Sequence, residues 1–351
     1  MKWLGLIVLF VVGVAAGFLF TVTEDYYEKP FGEGSVSVVF SVSQGESFGS
    51  ISRRLEQKKL IHHPKLLSFL ARIYGIRGKM RAGEYSLKDN QSPEEILTIL
   101  SSGRSINYPF TVTEGLNSFE IALMFEKKGY GKKESFLQAC ADAEALQKIL
   151  SEKVKSCEGY LFPDTYSFEK KTTAKQMIEV MMQSFLRNYE MVSSGRTLPQ
   201  KWTRHQVITF ASLIEKETGA PEERPLIASV FYNRLRQNIR LQTDPTVQYG
   251  VLFTTGVYPM NITRKDLTTP TPYNTYTNFG LPPGPISNPG MDAIRAVFKP
   301  AQSDFIFFVS RNDGTHVFTK TYDEHRKAVQ NFQIDPKARE GKSWRNLTKE
   351  N

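Results

Sequence analysis

The apolar residues of this chain follow two spacings, and each spacing predicts one kind of element. Short apolar or alternating runs at residues 36–42, 108–112 and 304–310 predict strands. Apolar residues three and four positions apart predict helices, most clearly at residues 173–189 and 203–219. Because strands and helices are mixed along the chain, we predict an α+β fold.

One of these helices places a carboxylate among apolar side chains. Thr203 and Gln206 form a capping box at its start, and Gly219 is the predicted stop at its end. At about 100° per residue, Glu217 falls inside the broad apolar face and Glu215 falls at its edge. Apolar surroundings disfavour the charged form of a carboxyl, so the pKa of Glu217 should rise to a range that suits a general acid. On spacing alone the alternative stays open that Glu217 reaches solvent or pairs with an arginine.

A run of about twenty residues without a charge, 3–22, lies near the N-terminus. Its length fits a helix that crosses a bilayer, and Lys2 precedes it while acidic residues follow it. We therefore predict a single transmembrane helix with the N-terminus in the cytoplasm and the rest of the chain outside. A cleaved signal peptide is the alternative, with small residues at 14–16 as the cleavage site. We prefer a retained anchor because the apolar run continues beyond that site.

The pattern of a strand, a turn glycine and an amphipathic helix occurs twice after this segment. Val42 and Gly45 in the first copy correspond to Val112 and Gly115 in the second. A cluster of aromatic and turn residues near residue 158 then marks a domain boundary. The predicted organisation is an anchor at 1–22, a linker at 23–35, a first module at 36–106, a second strand-turn-helix module at 107–155, a large domain at 156–335 and a charged tail at 336–351.

Composition changes this picture little. The net charge of +9 would suit an anionic polymer or a membrane surface, but the basic residues are scattered and no nucleic-acid motif accompanies them. Cys140 and Cys157 could form one disulfide in an oxidising compartment or remain two thiols. The sequence contains no metal or cofactor motif of the common kinds, so no cofactor is predicted.

Two segments are predicted to place polar groups beside the end of the central helix. Residues 242–244 read as a loop closed by Pro245, in which Asp244 is either a binding group or only a turn former. Residues 270–290 contain six prolines and three glycines interleaved with aromatic and amide side chains, which indicates a rigid loop that lines a cleft. Arg234 precedes both segments and either faces this cleft or is an ordinary surface charge.

Five segments of the C-terminal half resemble, in the same order, the YceG-like family of endolytic murein transglycosylases. They are ASLIEKET at 211–218, VFYNRL at 230–235, RLQTDPTVQYG at 240–250, TPYNTY at 271–276 and GLPPGPISNPG at 280–290. The resemblance implies a YceG-like catalytic domain in which Glu217 is the catalytic acid and base. It also implies that Tyr273 and Asn274 correspond to a Tyr-Asn pair that holds the substrate. With these, the predicted substrate-binding residues are Asn233, Gln242, Thr243, Asp244, Tyr249, Tyr273, Asn274 and Tyr276.

The first copy of the repeat, VSQGESFGSISRRLEQKKLI at 42–61, resembles part of the LysM pattern. LysM modules bind glycans of cell walls that contain N-acetylglucosamine. The alternative is a packing module that only spaces the catalytic domain from the membrane.

The family resemblance implies a bacterial lytic transglycosylase in the plasma membrane with its catalytic domain in the periplasm. Such an enzyme cleaves the β-1,4 bond between N-acetylmuramic acid and N-acetylglucosamine of peptidoglycan. The C6 hydroxyl of the same muramic acid attacks and leaves a 1,6-anhydro end, so one carboxyl suffices where a glycosidase uses two. Peptidoglycan strands are the implied substrate and cell-wall synthases (penicillin-binding proteins) the implied partners. The alternative function is a non-catalytic peptidoglycan-binding scaffold of the synthesis machinery.

Overall fold

The computed structural model describes residues 2–197, 201–259 and 261–335 of the chain. The chain divides into two compact units. The first, which we call the N-terminal unit, contains Met1–Phe110 and Ser167–Thr172, and the second, the C-terminal unit, contains Thr111–Tyr166 and Thr173–Asn351. The predicted charged tail at 336–351 lies outside the described residues.

The N-terminal unit is built on a strand, two helices and an antiparallel strand. Phe40 of the first strand lies opposite Tyr85 of the second, and both rings are buried among the apolar faces of the helices. The alternating burial along the first strand confirms the period-two pattern in its sequence. The elements of this unit are α1 (Lys2–Glu28), β1 (Ser37–Val42), α2 (Phe48–Gln57), α3 (Pro64–Ile73), β2 (Gly83–Lys88), α4 (Pro93–Ser102) and the start of β3 (Asn107–Val112).

The predicted transmembrane anchor falls within α1, and the structure overturns it. In the described part of the chain, no helix combines the length and the apolar character that a bilayer crossing requires. Instead of stopping where the apolar run ends, α1 continues through the acidic residues Glu24 and Asp25 to Glu28. There it packs into the unit, with the buried Tyr27 ring stacked on Tyr74 at a centroid distance of 5.0 Å. The predicted single-pass anchor and the plasma-membrane localisation are therefore wrong, and the predicted linker at 23–35 begins as helix.

The C-terminal unit is mostly helical, with one short hairpin near its end. Strand β4 (Asp164–Glu169) pairs with β3, and each of these two strands has residues in both units. Strand β5 (Phe307–Ser310) pairs with β6 (His316–Thr319) in an antiparallel hairpin. The elements are α5 (Ser118–Lys127), α6 (Lys133–Cys140), α7 (Ala143–Leu150), β4 (Asp164–Glu169), α8 (Ala174–Ser193), α9 (Arg204–Glu217), a 3₁₀ turn (Pro221–Glu223), α10 (Arg224–Arg236), α11 (Asp244–Thr255), α12 (Arg264–Thr268), α13 (Met291–Phe298), β5 (Phe307–Ser310), β6 (His316–Thr319) and α14 (Tyr322–Val329).

Helix α9 lies at the centre of this unit and packs against α10, α11 and α13. Its start confirms the predicted capping box, since the Thr203 side chain accepts from the Gln206 N–H and the Gln206 side chain accepts from the Thr203 N–H. Its end differs from the prediction. The helix stops because Thr218 turns to an extended conformation, with φ −139° and ψ 140°, and Gly219 does not adopt a positive φ. The chain therefore leaves the helix directly after Glu217.

The two cysteines form a disulfide between Cys140 at the end of α6 and Cys157, with a Cα separation of 4.9 Å. This resolves the alternative that the sequence left open. The bond fixes the segment that carries Glu158, which is a buried carboxyl.

Candidate active site

Glu217 is the last residue of α9, and its side chain is only partly exposed. The pKa of Glu217 is raised to about 7, mainly by burial and to a smaller extent by the nearby charge of Asp244. The Thr243 hydroxyl and the positive charge of Arg234 act in the opposite direction. A carboxyl with this pKa can give up and take back a proton near neutral pH.

Thr243 and Asp244 face Glu217 from the start of α11. The sequence predicted a loop here, but Thr243 is the N-cap and Asp244 the first residue of a helix, with Pro245 in its first turn. The Thr243 N–H donates to the Thr275 hydroxyl at 3.0 Å, which joins this helix start to the proline-rich loop. The buried Thr243 hydroxyl has no hydrogen-bond partner of ordinary geometry in the described ranges, and its interaction with the Glu217 carboxyl lowers the pKa of that group.

Tyr276 lies in the proline-rich loop and connects that loop to Asp244 and Glu217. Its hydroxyl donates to Asp244 Oδ1 at 2.6 Å. Burial and then the charge of Asp244 raise the Tyr276 pKa, with a smaller contribution from Glu217, so the phenol stays protonated. Asp244 itself is exposed. Tyr276, Asp244 and Glu217 therefore form one interacting group.

Gln242 adopts a backbone conformation that is uncommon for a residue with a side chain, with φ +49°. Its N–H donates to the Thr275 carbonyl at 3.2 Å, and its Oε1 accepts from Arg234 Nη1 at 3.4 Å. The side chain is nevertheless exposed. Such backbone strain persists only where the surroundings fix it and is common at functional sites.

Two of the predicted substrate-binding amides make hydrogen bonds within the protein. Asn233 is buried, and its Nδ2 donates at 2.8 Å to two carbonyls, those of Ser303 and Phe305. Asn274 is also buried. Its Nδ2 donates to the carbonyls of Asp266, Leu267 and Thr269, and its Oδ1 accepts from the Tyr276 N–H. Each amide organises its loop and has no donor left for a sugar.

Of the two remaining tyrosines, Tyr249 lies on α11 and Tyr273 lies in the proline-rich loop. Tyr249 is buried, and its hydroxyl donates to Glu158 at 3.0 Å, so it supports the core and not the cleft. Tyr273 is partly exposed and packs against Tyr249 and Phe253, with centroid distances of 4.8 Å and 5.1 Å. Burial raises the pKa of Tyr273 to about 12. Of this pair, only Tyr273 can contact a ligand.

Glu215 is more buried than its predicted place at the edge of the apolar face. Its carboxylate accepts from Arg224 Nη2 at 2.8 Å and from the Gly290 N–H at 2.9 Å. Arg224 is nine positions further on and Gly290 comes from another loop, so the helical spacing gave no sign of this ion pair. Glu215 therefore anchors the end of α9 and is not free for chemistry.

Sequence reasoning left Arg234 open between the cleft and the surface, and it missed the burial of Glu158. Arg234 is 8% exposed and lies close enough to Glu217 for their charges to interact. Glu158 is 3% exposed, and burial raises its pKa to about 7. In the described part of the chain, no three histidine, cysteine or acidic side chains come together in a way that could hold a metal ion.

The sequence model of the YceG-like family matches residues 40–331. An endolytic murein transglycosylase of Bacillus subtilis is 33% identical over 315 residues, which cover 86% of each chain. An endolytic murein transglycosylase of Streptococcus pneumoniae is 31% identical over 324 residues, covering 83% of this chain and 58% of the streptococcal one. A crystal structure of a YceG-like protein of Listeria monocytogenes aligns with a TM-score of 0.54 at 33% identity, over 84% of this chain and 99% of that one.

Proposed function

The chain belongs to the YceG-like family and is a lytic transglycosylase, and we propose that it cuts peptidoglycan strands internally with Glu217 as its one catalytic acid and base. The bond cut is the β-1,4 linkage between N-acetylmuramic acid and N-acetylglucosamine. The observation that carries the proposal is the environment of Glu217, a partly exposed carboxyl whose pKa is raised to about 7 at the end of a buried helix.

The mechanism needs one carboxyl because the attacking group belongs to the substrate. Protonated Glu217 gives its proton to the glycosidic oxygen as the bond to the muramic acid C1 breaks. The resulting carboxylate then takes the proton of the C6 hydroxyl of the same sugar, whose oxygen bonds to C1. The products are a 1,6-anhydro end and a free hydroxyl on the departing sugar. Intramolecular attack also avoids the entropic cost of positioning a water molecule.

We assign substrate contacts to the available groups at the start of α11 and in the proline-rich loop. They are the exposed side chains of Gln242 and Asp244, the Tyr276 hydroxyl and the ring of Tyr273. Hydroxyl and acetamido groups of the sugars can bond to the first three, and the apolar face of a sugar can stack on the last. Thr243 acts through its hydroxyl on the Glu217 carboxyl.

For the N-terminal unit we propose glycan binding by the segment from β1 to β2. Its order of strand, helix, helix and antiparallel strand supports the likeness to LysM modules that the sequence carries in its first half only. Titration of the full chain with N-acetylglucosamine oligomers tests this. NMR shift changes confined to residues 37–88 are expected, and changes only around Glu217 would contradict the assignment.

We also propose that cell-wall synthases are partners of this protein. Co-purification from cells tests this.

The enzymatic proposal is tested by incubating the full chain with purified sacculi. Mass spectrometry should show fragments with 1,6-anhydro ends, and long fragments should precede disaccharides if cleavage is internal. Reducing ends in place of anhydro ends would make the enzyme a hydrolase. Binding without any fragments would favour the scaffold function.

A further inference from the structure

Arg234 lies on α10 and is a buried cation near the catalytic carboxyl of Glu217. No ion pair involves it in the described ranges. Burial is the main cause that lowers its pKa, and the electrostatic interactions with Tyr276 and Glu217 act in the opposite direction. An arginine stays protonated at any working pH, so this position holds a permanent positive charge.

The guanidinium group is held by the backbone on two sides. Its Nε donates to the Ile306 carbonyl at 2.6 Å, just before β5. Its Nη1 donates to the carbonyls of Leu241 and Arg240 at 2.9 Å and 3.2 Å and to Gln242 Oε1 at 3.4 Å. Four acceptors thus fix one side chain, and three of them belong to the segment that leads directly into Thr243 and Asp244.

Other charged and titratable groups face the same space. Tyr276 and Asp244 lie on the side of Glu217. The Phe307 ring lies 5.3 Å from the guanidinium carbon and stacks on His325 of α14 at 4.9 Å. Burial and the charge of Arg234 both lower the pKa of His325, so this histidine is neutral at neutral pH. Arg234 is therefore the permanent positive charge of the group that surrounds Glu217.

We propose that Arg234 is a positioning residue for Glu217, which fixes residues 240–242 so that Thr243 and Asp244 face the acid and whose charge stabilises the carboxylate formed during the reaction. This inference rests on the proposed function. When Glu217 gives its proton to the glycosidic oxygen, negative charge develops on its carboxyl group. A fixed positive charge in a poorly solvated site lowers the energy of that state more than it would in water.

Three variants separate the charge from the hydrogen bonds. Arg234→Gln keeps amide donors but removes the charge, and Arg234→Lys keeps the charge but loses the fork of donors. Arg236→Met is the matched control, because Arg236 lies on the same helix, is exposed and donates to Asn233. The measurement is the pH profile of kcat/KM on purified glycan strands, with thermal unfolding to confirm that each variant folds.

The charge predicts a specific result. In Arg234→Gln the alkaline limb of the profile should move up by about one pH unit and the plateau should fall by up to about tenfold, because the acid is weaker. Arg234→Lys should lose rate without moving the limb, and Arg236→Met should match the wild type. A loss of rate in Arg234→Gln with an unmoved limb would overturn the proposal and leave Arg234 a structural residue. If Arg234→Gln does not fold, a moved limb in Arg234→Lys would overturn it equally.

A readout that needs no turnover separates this proposal from the proposed function. The Glu217 carboxyl can be titrated by NMR in the full chain with ¹³C-labelled glutamate, and Glu217→Gln identifies its signal. A Glu217 pKa that is higher in Arg234→Gln than in the wild type supports the charge effect even if no glycan is cut. An unchanged pKa overturns it even if the wild type cuts sacculi.

Discussion

Two glutamates of the C-terminal unit, Glu158 and Glu217, both have a pKa raised to about 7 by burial, yet their surroundings differ. Both oxygens of Glu158 are occupied by donors: the N–H and hydroxyl of Ser118, the Tyr249 hydroxyl and the Asn288 amide. Glu217 interacts with the Thr243 hydroxyl within the described ranges and keeps part of its surface open.

The comparison shows that a raised pKa does not by itself identify a catalytic acid. Both carboxyls are removed from water, but only one has oxygens free to meet a substrate. The neighbours of Glu158 are mainly neutral donors, whereas Glu217 interacts with the charges of Asp244 and Arg234. Asp244 raises the proton affinity of Glu217 and Arg234 lowers it, while the donors around Glu158 occupy both of its oxygens.

The largest effect should follow from Glu217→Gln, which keeps the shape of the side chain and removes its proton. We expect the rate of anhydro-end formation from sacculi to fall by at least about a thousandfold with an unchanged unfolding midpoint. Glu215→Gln is the control on the same helix turn. It should cost far less activity and more stability, because it disrupts the buried pair with Arg224. An equal or larger loss of activity in Glu215→Gln would mean that the acid is misassigned.

Asp244→Asn should have the next largest effect. The intramolecular mechanism needs no second carboxylate, so Asp244 orients Tyr276 and the start of α11, and asparagine can still accept from the phenol. A loss of about ten- to a hundredfold is expected. A two-carboxylate hydrolase would lose several orders of magnitude instead. Reaction in ¹⁸O-labelled water gives an independent result, since incorporation at the new muramic acid end would show that water attacks.

The position and burial of Glu217 could be predicted from the sequence, because capping residues and helical spacing are local signals. The same reasoning failed for Glu215, since its partners Arg224 and Gly290 reach it only through the tertiary fold. It also gave no sign of the internal hydrogen bonds of Asn233 and Asn274, because no sequence pattern shows that an amide will be used by backbone carbonyls.

Local patterns also misled in two segments. An uncharged run of suitable length predicted an anchor, but α1 continues past it into the folded unit, where Tyr27 is buried. Pro245 suggested the end of a loop, whereas a proline in the first turn of a helix is equally favourable. In both cases length and composition were read correctly, and the tertiary contacts that decide the outcome lie outside the segment.

The pH dependence of cleavage should report Glu217 and not Glu158. Because the first step needs a protonated acid, kcat/KM should be level below pH 7 and fall by about tenfold for each unit above it. Glu158→Gln tests this assignment, because its pH profile of kcat/KM should keep the same fall above pH 7. If the limb disappeared in Glu158→Gln, the titration that controls the rate would belong to Glu158.

Glu158→Gln should have the smallest effect on activity, within about threefold, and its effect should appear in stability. A glutamine at this position must turn its NH₂ group towards one of the four donors that now meet two oxygens, which should lower the free energy of unfolding by about 1–3 kcal/mol.

The pH dependence of stability follows from the raised pKa of Glu158. The folded chain holds the Glu158 proton up to about pH 7, while the unfolded chain releases it near pH 4.5. The stability that this group contributes is therefore fully present below pH 4.5 and is lost as the pH rises towards 7. Urea denaturation across this range should show a decline in the wild type that is smaller in Glu158→Gln. A decline of the same size in both proteins would mean that the four donors already keep Glu158 ionised in the folded chain, and the likeness between the two acids would then end at their burial.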